Sequence, residues 1–204
     1  MDLLCSKFIY YNCIKKKIIL FITLIFCFVL RSQTRQDKLN LDNINYELLD
    51  SLIYEECLKQ RKLNGLESFD RDYTCGLAAT YQSNYMSFYN TFDHKNDNNF
   101  KGALLKKSNE RFKFFYKKVK PKYKEFVTFE IICLLPNLDK KHTYPLTYED
   151  YAEFIIGRFL ESTTHSYVVL LEEKNENLKG NFKSVYNKTT KKMYVTGLFA
   201  VVNK

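Results

Sequence analysis

The spacing of apolar residues changes along this chain, and the order of the change sets the class of fold. From about Asn43 to Lys62, Leu48, Leu49, Leu52, Ile53 and Cys57 recur every three or four residues, the stripe of a helix packed on one side. Asn64-Gly65 ends it, because glycine takes the left-handed conformation cheaply. A second helix is expected from about Arg71 to Tyr89, capped by Asp70, with Leu77, Ala78, Tyr81, Tyr85 and Phe88 on one side. A highly charged third helix fits Ala103 to Lys118. Phe126 to Leu135 then reads as a strand, rich in aromatic and β-branched residues and stopped by Pro136. Thr147, with Asp150 three residues on, caps a further helix that buries Tyr148, Tyr151, Ala152, Ile155 and Phe159. After the polar break at Ser162 to Ser166, strands are expected at Tyr167 to Glu173, Phe182 to Asn187 and Met193 to Val202, in antiparallel hairpins. Helices first and an antiparallel sheet last predict one α+β domain over residues 45–204.

The amino end has another purpose. A run of thirteen residues, 18–30, apolar except for Thr23, follows Lys15, Lys16 and Lys17, with Ser32, Gln33 and Thr34 beyond it. A basic stretch before a short apolar run is the pattern of a secretory signal, and the run is short of the roughly 20 residues that span a bilayer. Residues 1–33 are therefore expected to be a signal peptide, or an uncleaved signal-anchor, followed by a polar leader over 34–44. The expected location is secreted or extracytoplasmic, with membrane attachment only if that segment is retained.

Residues 1–33 carry a net +4 of the chain's +9, so the remainder is mildly basic at +5. The one dense basic cluster, Lys113 to Lys124, reads as a solvated face, with phosphates or acidic lipid head groups as the functional alternative. No nucleic-acid partner is expected. With 46% hydrophobic residues, 17 Phe, 16 Tyr and only 3 Pro, the chain is neither disordered nor a low-complexity linker. Cys57, Cys75 and Cys133 would survive signal cleavage. Export permits one disulfide among them, and their apolar settings equally allow three buried thiols. Asn187-Lys188-Thr189 has the form of a glycosylation sequon, which we read as chance.

Glu130 is the anomaly, a single acid inside an apolar strand, and burying an unpaired carboxylate is expensive. His94, in a polar loop after a helix, and His165, after another, are placed to meet it. Two imidazoles and a carboxylate could hold a divalent metal such as zinc and leave a position for water. Without metal they could form a hydrogen-bonded cluster in which Glu130 orients one imidazole. The alternative is an outward, solvated Glu130 and ordinary loop histidines.

Several segments, in this order, resemble the CAP or SCP-like extracellular domain family, which includes cysteine-rich secretory proteins, antigen 5 venom proteins and pathogenesis-related proteins. Arg61, Gly65, Leu66, Ala78, Ala79, Met86 and Phe92-Asp93-His94 match its opening helices and the loop that ends in histidine. Phe129-Glu130-Ile131-Ile132 stands where bacterial members have G-E-N-I, and Phe159 to His165 where they have W-x-x-S-P-x-H. Tyr194 to Ala200 resembles the closing strand. The resemblance implies an α-β-α sandwich with a mainly antiparallel central sheet and a cleft lined by His94, Glu130 and His165. It implies divalent metal, zinc above all, or a small ligand there, with Glu161 and Ser162 as cleft neighbours. Family members are implicated in binding lipids, metals and proteins, and share no established reaction. An unknown small ligand, lipid or protein is thus the expected partner. The alternatives are a protease- or esterase-like hydrolase, with Ser162 or Ser166 beside His165 or a metal-bound water as nucleophile, or an interaction domain with an idle cleft.

Overall fold

The computed structural model describes residues 33–119, 125–136, 138, 147–173 and 177–203. The chain divides into two compact units, Met1–Thr34 and Arg35–Lys204, and the following concerns the second. Of the expected signal segment, residues 1–32 lie outside the described residues, as do residues 120–124 of the basic cluster.

The first helix, α1 (Tyr46–Leu63), starts at Asn45, whose side chain accepts from Leu48 N–H (3.1 Å). Leu49, Leu52, Ile53 and Cys57 are its buried stripe, as the spacing predicts. It stops at Asn64, and Gly65 follows at φ +72°. A two-residue strand, β1 (Asp70–Arg71), leads into α2 (Tyr73–Tyr89). The cap of α2 is Asp72, whose carboxylate accepts from Cys75 N–H at 2.7 Å; Asp70, the expected cap, lies in β1. Then come α3 (Ser108–Val119), β2 (Glu125–Leu135) and α4 (Tyr148–Leu160). At the start of α4, Thr147 and Asp150 each bond the other's backbone N–H, a complete capping box.

The next segment corrects the sequence reading. Thr163–Val169 is a helix, α5, where a strand from Tyr167 was expected. Ser162 supplies its cap, and Val168 and Val169 turn into the core beside α4, so tertiary packing overrides the strand preference of valine. Two long strands, β3 (Leu178–Asn187) and β4 (Lys192–Asn203), close the chain.

The sheet order is β1-β3-β4-β2. β4 pairs antiparallel with both β2 and β3, while β1 runs parallel to β3, so the sheet is mixed and mainly antiparallel. Side chains alternate along β4. Met193, Val195 and Phe199 meet α1, α4 and α5 in one core. Tyr194, Leu198, Ala200 and Val202 meet α2 and α3 in two smaller clusters. Helices thus cover both faces of the sheet, giving the expected α+β sandwich. At its centre, a Cβ on Gly197 would come within 2.6 Å of Phe182 and 2.8 Å of Ile131, so only glycine lets those two side chains close over it.

The polar leader is part of this unit. Arg35 pairs with Glu55 (2.9 Å) and Glu149 (3.1 Å), Lys38 bridges to Thr147, and Leu39, Leu41 and Ile44 pack against the core. Cys57, Cys75 and Cys133 are free and buried, with no disulfide among them. Burial pushes the Cys57 and Cys133 thiols up to about 12, and Cys75 well above its ordinary value.

Candidate functional site

The site lies along β2, which among the described residues is an edge strand paired with β4 alone. Glu130 stands opposite Leu198 on the sheet face covered by α2 and α3. Its carboxylate is only 3% exposed, so the reading of an outward, solvated Glu130 does not hold. His94 comes from the loop after α2, and its Nδ1 lies 3.1 Å from Glu130 Oε1. A carboxylate oxygen accepts, so this contact places the ring proton on Nδ1. The other carboxylate oxygen accepts from Arg111 Nη2 at 2.6 Å.

Arg111 is the residue that sequence reasoning missed. It stands in the first turns of the charged helix α3, with a fully buried side chain. Besides the pair with Glu130, it donates to the carbonyls of His94, Leu105 and Lys106, each at 3.1 Å. One guanidinium therefore neutralises the acid and ties both ends of the loop from His94 to Lys106 to it. A signal was present in the sequence. A lone acid inside a strand requires a cation, and arginine is the cation that keeps its charge when buried.

His165 reaches the same edge on α5. Its ring centroid is 6.1 Å from that of His94 and 5.6 Å from that of Phe159. Burial, and then the neighbouring His94, hold its imidazole below the ordinary value. Another arginine steadies α5: buried Arg61, from α1, donates to the carbonyls of Val169 (2.9 Å) and Leu171 (3.0 Å) at the end of that helix. Residues remote in sequence thus meet: His94 and Glu130 in a hydrogen bond, with the ring of His165 alongside. Ser162 Oγ accepts from His165 N–H at 3.5 Å as the cap of α5, and Ser166 Oγ donates to the carbonyl of Thr163 (3.1 Å). Both hydroxyls serve the helix backbone, and neither bonds an imidazole among the described residues. Glu161 is exposed and pairs with Arg158 at 2.8 Å.

In this arrangement Glu130 is held by two protein partners. Both oxygens of Glu130 are engaged, one by an imidazole and one by a guanidinium. The carboxylate acts as the orienting partner of His94, which leaves two imidazoles as donors. Among the described residues no group of three or more His, Cys, Asp or Glu is arranged to hold a metal ion. The hydrogen-bonded cluster, the second alternative read from the sequence, describes the geometry. The cleft above it, about 400 Å³, is lined by His94, Lys95, Lys107, Ser108 and Glu130. Lys95 pairs with exposed Asp97 at 3.0 Å and Arg111 cancels Glu130, so Lys107 is the cation of the lining that stands outside both pairs.

Comparison with solved structures places the fold beside known ones. An outer surface protein from Borrelia burgdorferi superimposes with a TM-score of 0.54 at 16% identity, over 78% of this chain and 97% of that one. An extracellular protein containing a SCP domain from Bacillus anthracis gives 0.49 at 18% identity, over 76% of this chain. A cysteine-rich secretory protein from Staphylococcus aureus gives 0.45 at 12% identity, over 78% of this chain. The chain spans about 40% of the length of each of these last two proteins. No family model matches the chain, and no curated protein matches it in sequence.

Proposed function

We propose that this chain is an exported CAP-like binding domain whose cleft at the β2 edge takes a small anionic ligand. The ion pair of Arg111 with Glu130 carries the reading. It neutralises the one acid that lines the cleft and leaves Lys107 and the ring of His94 to face a ligand, while Lys95 is shared with Asp97. Ser108 adds a hydroxyl at the first turn of α3, where helix N–H groups also favour negative charge. The family reading is supported by the order of its motifs and by the convergence of their histidines and glutamate on one edge of an α+β sandwich. Export is supported by the basic and apolar amino end, and it agrees with the extracytoplasmic place of one solved protein of similar fold, an outer surface protein.

Calorimetry on the full chain with citrate and, separately, with zinc chloride tests this. Citrate is expected to bind, and Lys107→Ala and His94→Ala each to weaken it about fivefold to tenfold. Zinc affinity that disappears in His94→Ala, with no response to citrate, would overturn the anion reading in favour of a metal centre.

A further inference from the structure

A second cleft, of about 600 Å³, lies between the end of α2, the turn at Asn99 to Gly102 and the end of β3. We propose that it binds a saccharide. Its chemistry differs from that of the β2 edge: among the described residues the lining is aromatic rings, side-chain amides and Ser87, with Lys101 as the single charge and no carboxylate. The volume falls in the usual range for small-ligand sites.

The aromatic wall is fixed. Phe88 is 69% exposed, yet its ring rests against Tyr89 and Phe100, with centroids 4.9 and 5.6 Å away. Tyr89 donates its hydroxyl to the carbonyl of Asn99 (2.7 Å), and Lys101 lies over the Phe100 ring at 5.4 Å. The turn is set by left-handed backbone at Lys101 (φ +50°) and Gly102 (φ +79°), and by paired backbone bonds between Phe100 and Ala103. Phe88 thus combines a packed edge with an open ring surface at the mouth of the cleft.

The polar wall separates holding groups from offered ones. Asn187 is a holder: its Nδ2 donates to the carbonyl of Ser87 (2.7 Å), and its Oδ1 accepts from the backbone of Thr189 and Thr190 (3.0 Å each). That commitment also uses the amide nitrogen of the sequon. Asn84 spends Nδ2 on Thr80 (2.8 Å), and its Oδ1 makes no hydrogen bond among the described residues; neither does the side-chain amide of Asn99. A ring with an exposed face beside uncommitted amide donors and acceptors matches a sugar, which offers a C–H face to the ring and hydroxyls to the amides. An acyl chain would cover those amides and supply no partner, at a desolvation cost.

The test is saturation-transfer NMR and calorimetry on the full chain with cellotetraose, chitotetraose and tetragalacturonate. At least one is expected to bind, with affinity falling about tenfold in Phe88→Ala and in Asn99→Ala. Both side chains are exposed, so these variants are expected to fold, and unchanged circular dichroism melting checks it. Absence of transfer from all three sugars overturns the proposal. So does affinity that is unchanged in both variants, because the sugar would then sit elsewhere. His94→Ala leaves sugar binding unchanged, which keeps this proposal separate from the anion cleft.

Discussion

The ion pair at the sheet edge is where one substitution should matter most. Arg111→Ala leaves the Glu130 carboxylate, 3% exposed, without its cation. It also strips the donor from the carbonyls of His94, Leu105 and Lys106. Removing one member of a buried pair costs about 3–5 kcal/mol. In a folded unit of this size 1 kcal/mol moves Tm by about 2–4 °C, so the midpoint should fall by about 6–20 °C. The double variant Arg111→Met, Glu130→Leu leaves neither charge behind and should recover part of the loss; the carbonyls of His94, Leu105 and Lys106 still lack their donor, which keeps the recovery incomplete. Urea unfolding of the wild type, Arg111→Met, Glu130→Leu and the double variant closes a cycle, with a coupling energy above about 1 kcal/mol expected. A loss under about 1 kcal/mol for Arg111→Ala, with additive single effects, would refute the reasoning. The pair would then behave as a solvated surface bridge.

Two further predictions concern other buried groups. Burial pushes the Asp50 carboxyl up from 3.8 to about 6, opposed by Lys183 and by Ser184 N–H and Oγ. The folded state then holds this proton more tightly than the unfolded chain. Its contribution to stability is therefore full below about pH 4 and is lost as pH rises through about 6. Asp50→Asn should flatten that decline by on the order of 3 kcal/mol, and identical pH slopes in the two proteins would count against it. Cys57, Cys75 and Cys133, all buried with raised thiol values, should resist iodoacetamide at pH 8 until the protein is unfolded. Peptide mapping that finds rapid native-state alkylation at any of the three would contradict their burial.

The boundaries of α1 and β2, the Thr147 capping box and the two closing strands were legible in the sequence, because each is specified locally by a repeat of apolar residues and a terminating cap or turn. The short helix after Ser162 was not. Its valines prefer strands in isolation, and only the core beside α4 and the donation from Arg61 to Val169 make a helix of them. The parallel pairing of β1 was equally hidden, since a two-residue strand has no periodicity to read.

For the site, the sequence by itself determined which residues were out of place: an acid in an apolar strand, and two histidines at the ends of helices. Anomalies of that kind are local and need no coordinates. The tertiary structure decided what resolves them. Arg111 arrives from a helix 19 residues upstream of Glu130 and neutralises its carboxylate through one oxygen. Which cation meets a buried acid depends on how helices pack across a sheet edge, and the spacing of residues along one strand of sequence carries no record of that packing.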